Sequence, residues 1–264
     1  MIKYSVLASG STGNSIYVGT EDKNILVDAG ISGRRLEESL AEVKIMIEQL
    51  DGIFITHEHD DHVRGIGVIA RKYRIPLYMN YNTFCNLPKT VGEIDQSLIR
   101  IIDTGGKYII GGLAIESFGV SHDAAEPVGY IVSANDYNLS IVTDLGYVNN
   151  SIKERIKGSD AIIMETNHCV EMLRMGSYPW PLKLRILSAV GHLSNDDAAD
   201  TLVDIITENT LRVHLFHRSQ ENNQRDLARL TVINRLEEYG VNHNKLKILD
   251  TYADQPTDME RIGT

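Results

Sequence analysis

The sequence predicts an α/β (α+β) protein in which two mixed β-sheets pack face to face with helices outside. Three observations carry that expectation. Short β-type runs alternate with amphipathic helical stretches. The order of strands followed by helix recurs coarsely in each half of the chain. The 264 residues are 42% hydrophobic, enough for a real core in one domain spanning 1–264. No Pro/Gly/Ser linker, low-complexity segment or short-period repeat interrupts them.

Taken in order, Lys3 to Ala8, Ser15 to Val18 and Asn24 to Asp28 read as short strands, parted by the turn Ser9 to Asn14 and by Glu21-Asp22. From 32 to 49, Leu36, Leu40, Val43 and Ile47 recur at helical spacing behind Ser32, a suitable N-cap. Gly52 to Thr56 is a buried-strand run that delivers the chain into His57. A helix at 63–74, a strand at 76–79 and β-type runs over 98–120 follow, the last broken by Gly105-Gly106 and Gly111-Gly112. Strands are expected at Val128 to Ser133, Leu139 to Thr143 and Ala161 to Glu165, with a helix at 149–157. The end reads as helix 195–207, strand 211–216, helix 223–239 and strand 246–250.

Charge and cysteine content narrow the class. Lys plus Arg number 26 against 36 Asp plus Glu, a net −10, which argues against binding nucleic acid through the overall field. The basic stretch Arg64, Arg71, Lys72 and Arg74 reads as a solvated helix face. Cys85 and Cys169 form no CxxC pair, so a disulfide framework or cysteine zinc site is not indicated and a reducing, cytoplasmic location is expected. The first residues lack the apolar core of a signal peptide, and no apolar run approaches the ~20 residues a bilayer span needs, so no membrane partner is expected. Cys85 reads as a small apolar filler, His214 and His243 as structural or solvent-facing.

The chemistry concentrates in His57-Glu58-His59-Asp60-Asp61-His62, at a strand exit. Such a loop can aim His57 and His59 to one side while Asp61 and His62 turn toward a second point. The bland alternative is a solvated histidine-rich loop. Imidazoles with carboxylates suit zinc, manganese or iron, and paired ions ~3.5–4 Å apart are the recurrent solution for phosphate-ester hydrolysis. Four donors cannot complete two coordination shells, so others are expected at strand ends: His122, Asp144 and His217, with Asp144 suited to bridge.

This array resembles the metallo-β-lactamase superfamily, whose αββα four-layer sandwich carries an Asp at a strand end (here Asp28), HxHxDH, a His, an Asp and a last His, in the order found here. The resemblance implies that Asp28 supports the metal loop by hydrogen bonds without being a ligand. The segments Ser9-Gly10-Ser11-x-Gly13-Asn14, Glu165 to His168, Tyr178 to Lys183, Gly191 to Asn195 and His217-x-Ser219-x-Glu221-Asn222-Asn223 are similar to the YycJ/WalJ (VicX) family. That likeness implies a metal-dependent 5′→3′ DNA exonuclease linked to DNA repair and cell-wall regulation, with Asn14 and Ser219 also supporting the ligands. Two departures are Cys169, where an acid commonly follows the His, and Arg218 in place of an apolar residue.

Glu165 and His192 resemble the Glu/His pair of ribonuclease Z, in which the His protonates the leaving oxygen. The expected reaction has a metal-bridging hydroxide as nucleophile and His192 as acid, with Glu165 and the ligand Asp61 counted among the catalytic residues. Gly191 to Asn195 equally reads as a helix N-cap, and the two roles are compatible. Tyr178, Trp180, Lys183 and Arg185, with Arg64, combine rings for base stacking with cations for phosphates. The leading expectation is therefore a dinuclear nuclease acting on nucleic acid, in particular DNA. The alternative is an ester, thioester or lactam hydrolase on the same metals, with a non-catalytic module third. The sequence assigns no oligomeric state.

Overall fold

A computed structural model of the chain describes residues 1–242 and 244–263. It opens with an antiparallel meander, β1 (Ile2–Ala8), β2 (Ser15–Gly19) and β3 (Asn24–Val27). Helix α1 (Gly33–Glu42) follows, with the Ser32 hydroxyl accepting from the Arg35 N–H and Leu36 and Leu40 facing the core. It stops well before 49 because Lys44 takes φ +64°, a left-handed conformation that cannot continue a helix. Ile47 reaches the core instead from a single 3₁₀ turn.

β4 (Gly52–Phe54) leads to α2 (Asp60–Val63) and α3 (Ile66–Tyr73). The expected helix therefore starts earlier and is split. At Gly65 a Cβ would lie 2.4 Å from the Ile31 carbonyl, so the backbones approach where only glycine fits. β5 (Leu77–Met79), α4 (Tyr81–Cys85) and β6 (Ile99–Ile101) come next, then a second meander, β7 (Lys107–Ile110), β8 (Leu113–Gly119) and β9 (Val128–Ala134). The remainder is β10 (Tyr137–Val142), α5 (Asn150–Ile156), β11 (Ala161–Glu165), α6 (Val170–Met175), α7 (Trp180–Ile186), α8 (Asn195–Ile205), β12 (Arg212–Phe216), α9 (Arg225–Glu238), β13 (Lys247–Asp250) and β14 (Glu260–Ile262). Helices α4, α6, α7 and strand β14 were not anticipated.

The contacts divide the chain into two compact units. The first comprises Met1–Gly119, Ala124–Tyr137 and Thr251–Thr264. It holds a sheet in the order β14-β1-β2-β3-β4-β5-β6, antiparallel as far as β3 and parallel from there on, together with the β7-β8-β9 meander. Leu26, Ile53 and Leu77 of neighbouring strands pack with Leu36, Leu40, Ile66 and Ile69 of α1 and α3. Each such side chain contributes about 1.5–3 kcal/mol by leaving water. The second unit, Val120–Asp123 and Asn138–Asp250, is built on the parallel strands β10-β11-β12-β13. Every residue of β11 is buried, and the run Ala161 to Met164 that precedes Glu165 is apolar throughout, as expected of a parallel strand covered on both faces. Helix α8 is capped by Ser194, whose hydroxyl accepts from the Asp197 N–H at 3.0 Å, with Asp196 and Asp197 complementing the dipole of the first turn. No helix among the described residues is long and apolar enough to cross a membrane.

Candidate metal centre

In the first unit the site is assembled on the exits of β3 and β4. Asp28 follows β3 at φ +61° and is buried. Its carboxylate accepts from the Thr56 N–H (2.8 Å), the Thr56 hydroxyl (2.8 Å) and His62 Nδ1 (2.7 Å). Burial raises the Asp28 pKa, only partly offset by the charge and hydrogen bond of His62 and by the Thr56 bonds. Beyond β4, the Ile55 carbonyl accepts from the buried Tyr130 hydroxyl at 2.7 Å, pinning the segment that leads into His57. His59 is the N-cap residue of α2, and Asp61 and His62 lie in its first turn. The four expected donors therefore cluster: the His57 ring centroid is 4.6 Å from that of His59 and 4.1 Å from that of His62, and His62 Nε2 is 3.6 Å from an Asp61 oxygen.

The Ser9–Asn14 turn lies against this loop. Asn14 Oδ1 accepts from the Gly10 N–H at 2.8 Å, while Nδ2 donates toward the Asp61 carboxylate (3.3 Å) and sits 3.1 Å from His62 Nε2. The Asn14 N–H also donates to the Asp61 carbonyl at 2.8 Å. At Gly30 a Cβ would be 1.6 Å from that same carbonyl, so glycine is required there. Asn14 thus supports Asp61 and His62, as the sequence implied.

The second unit gathers the other donors, each just past a strand or in a loop. His122 Nδ1 donates to the Gly191 carbonyl at 3.0 Å, which leaves Nε2 as its donor atom. Asp144 and His217 follow β10 and β12 with φ +54° and +52°, sparsely populated conformations for non-glycine residues and a mark of functional strand ends. Asp144 accepts from the Thr143 hydroxyl at 2.6 Å, and its other oxygen is 3.2 Å from His217 Nδ1. Ligand atoms of Asp144, Glu165, His192 and His217 all lie within 4.8 Å of one another.

Glu165, wholly buried at the end of β11, does more than the sequence suggested. Its carboxylate accepts from His192 Nδ1 (2.8 Å), His217 Nδ1 (2.9 Å) and the backbone N–H groups of Leu145 (3.1 Å) and Leu193 (3.2 Å). Burial would raise its pKa, but the His192 charge and hydrogen bond and the His217 hydrogen bond, opposed by Asp144, bring it down to about 2. Burial pulls His192 down, yet the charge and hydrogen bond of Glu165, with Asp144, outweigh that pull and the opposition of His217, so its pKa is raised. One carboxylate therefore holds two imidazoles, each through its Nδ1 atom. Neutral imidazole Nε2 atoms and carboxylate oxygens form the donor set that zinc, manganese or iron accepts.

The expected groove residues divide. Trp180 is 59% exposed and Tyr178 half-buried. Lys183 is not a phosphate contact: it is buried, and its Nζ donates to the carbonyls of Arg174 (2.8 Å) and Gly176 (2.7 Å) at the end of α6, groups a helix C-terminus leaves unpaired. Arg185 is paired with Asp123. Arg64 binds Asp60 and the Thr12 carbonyl, each at 3.0 Å. The other basic residues of the same stretch are engaged too, Arg71 with the Val91 and Glu93 carbonyls, Lys72 with Glu37 and Arg74 with Asp95. Among the described residues, the Ser219 side chain is bonded to the Asn222 backbone and not to an expected ligand. Its hydroxyl accepts from the Asn222 N–H, and Asn167, part of a segment that carries the family likeness but given no role there, donates to the His217 carbonyl at 2.9 Å. Cys85 is exposed on α4, so it fills no core space, and Cys169 is half-buried. His214 is buried within β12, and His243 lies outside the described residues.

Residues 23–215 match the beta-lactamase superfamily domain. With the donor sets above, that match defines the class: a metal-dependent hydrolase of the β-lactamase superfamily. Exodeoxyribonuclease YycJ of Bacillus anthracis is 46% identical over 99% of both chains, and exodeoxyribonuclease WalJ of Streptococcus pneumoniae serotype 2 is 44% identical over 98% of both. The chain belongs to the YycJ/WalJ family. The metallo-beta-lactamase fold protein YhfI from Bacillus subtilis superposes with a TM-score of 0.72 at 16% identity, covering 97% of this chain and 98% of that one, so the αββα class read from the sequence is the class of the fold.

Proposed function

We propose that this chain is a nuclease that releases nucleotides from the 5′ end of DNA in a reducing compartment, with residues 1–264 acting as one domain. The activity in the names of the two relatives, aligned over nearly their whole length, supports the DNA substrate. His57, His59, Asp61, His62, His122, Asp144 and His217 would hold two divalent ions, Zn, Mn or Fe. Such ions supply neutralisation of phosphoryl charge and activation of water.

The remaining steps belong to the protein. Glu165, with a pKa near 2, stays ionised and cannot serve as the acid. It holds His192 through Nδ1, so the opposite nitrogen, Nε2, is the atom that delivers a proton to the departing 3′-oxygen. Trp180 and Tyr178 offer ring faces to bases. The observation that carries this reading is the Glu165 carboxylate accepting from His192 and His217 at once, since it ties the proton donor to a metal ligand.

The test is nucleotide release from 5′-labelled DNA with Mn²⁺ or Zn²⁺ added. Wild type should release label and Asp61→Ala and Asp144→Asn should not. Undiminished release in both variants would sink the assignment. Opening of a lactam or thioester with DNA left intact would transfer the site to the other hydrolase class.

A further inference from the structure

The expected loop ligands His57 and His62 are useful to a metal only through the nitrogen that lacks a proton, and the hydrogen bonds around them fix which nitrogen that is. The Gly10 N–H can only donate, and Asn14 Oδ1 receives it at 2.8 Å, so the other end of that amide, Nδ2, is a donor. Nδ2 lies 3.1 Å from His62 Nε2, which must therefore present its lone pair. The proton of neutral His62 is then on Nδ1, where Asp28 Oδ2 accepts it at 2.7 Å.

Thr56 fixes the second ring in the same way. Its hydroxyl has one proton, and the acceptor-only Asp28 carboxylate takes it at 2.8 Å. The hydroxyl oxygen is also 2.9 Å from His57 Nδ1. With its proton committed to Asp28 it can only accept, so His57 carries its proton on Nδ1 and its lone pair on Nε2. Thr56 is itself held by the bond from its N–H to Asp28 Oδ1 at 2.8 Å and is fully buried, so the hydroxyl has no water to substitute for it.

We infer that Thr56 is a positioning residue for the metal loop: its hydroxyl relays the Asp28 carboxylate to His57 and, with the Asp28 bond to His62, fixes both imidazoles in the Nδ1–H form, in which Nε2 carries the lone pair a metal ion would take. This rests on the metal-dependent reading above and assigns a ligand-orienting role that passes through a hydroxyl rather than a carboxylate.

Thr56→Val removes the hydroxyl at nearly constant volume and Thr56→Ser restores it. Competition against a chromophoric chelator should show Zn²⁺ affinity about 10–100-fold weaker in T56V and recovered to within about threefold of wild type in T56S. Long-range ¹H–¹⁵N spectra of the histidines in zinc-loaded wild type should show both His57 and His62 protonated at Nδ1, and in T56V the His57 signal should lose that single form. Wild-type affinity in T56V, equal losses in T56V and T56S, or an Nε2-protonated His57 in wild type would each overturn the inference. The wild-type spectrum answers even if T56V fails to fold. A wild-type chain that takes up no Zn²⁺ would instead refute the functional reading, so the two failures are distinct.

Discussion

The two donor groups are built on different physics. In the first unit four donors come from one loop of six residues, and their support is hydrogen bonding: Asp28 and Thr56 are spent on Nδ1 atoms, and burial leaves the Asp28 pKa raised. In the second unit the donors come from five separate segments around one carboxylate, and Glu165 is driven to about 2 by the imidazoles it binds, with His192 raised in return. Both use left-handed strand-end residues, Asp28 at +61°, Asp144 at +54° and His217 at +52°. The loop is organised to hold ligands, and the Glu165 group is organised to hold a charge. On the function proposed above, both groups would hold metal, and the Glu165 group alone would add a proton donor.

Glu165→Gln should break the second group most completely. An amide brings its own N–H₂ into a position where four donors converge, and leaving buried donors of this kind unpaired costs about 3 kcal/mol or more. Urea denaturation should register that loss and the nuclease assay a loss of activity. His192→Ala should separate the two consequences. Its cleavage rate should fall about 10²–10⁴-fold while Zn²⁺ affinity stays near wild type, the inverse of the pattern expected for Thr56→Val. Equal metal loss in both variants would erase the distinction between the groups.

Acid should act mainly on the second unit. Buried His214 is brought down to about 3 by desolvation, with Arg212 adding, and His168 to about 4 by desolvation, against Glu165. An imidazole whose folded pKa is depressed contributes stability that is present above its unfolded value near 6.5 and is lost as pH falls toward the folded value. Glu165 has the same sign over a lower window, between 4.5 and about 2. His192, raised, has the opposite sign and loses its contribution as pH climbs above 6.5. Unfolding free energy measured in urea should therefore fall between pH 6.5 and 4, and His214→Leu should flatten the slope by about 3 kcal/mol across that range. A profile unchanged by the substitution would remove His214 from the account.

How far the site was legible follows from how local each interaction is. His57, His59, Asp61 and His62 are contiguous, and Asp144, Glu165 and His217 each end or follow an apolar run, so position in the sequence nearly states their place. The role of Thr56 was not legible, because its hydroxyl proton goes to the Asp28 carboxylate, 28 residues away. The second partner of Glu165 was equally hidden, since His217 is 52 residues away. In the fold, long apolar runs gave the central strands and α8, while α6 and α7 are only six and seven residues long, too short to declare a period. β14 has three residues and is defined by pairing with β1. The end of α1 turned on the conformation of Lys44, which competes with a hydrophobic spacing that would carry the helix further.

The smallest expected effects concern α7, where two residues expected to share a task have different surroundings. Trp180 is 59% exposed, whereas Lys183 closes the carbonyl end of α6. A base stacked on an aromatic face is worth about 1–3 kcal/mol, and one exposed ring at the lower end of that range gives Trp180→Ala a KM for single-stranded DNA raised about fivefold, with unchanged thermal stability. Lys183→Met keeps the aliphatic stem and removes both hydrogen bonds from carbonyls that are then unsatisfied. It should leave KM unchanged and cost about 1–3 kcal/mol of stability. If Lys183→Met instead raised KM with full stability retained, the ammonium would have to reach the substrate, and the burial that withdraws it from the groove would not describe the working enzyme.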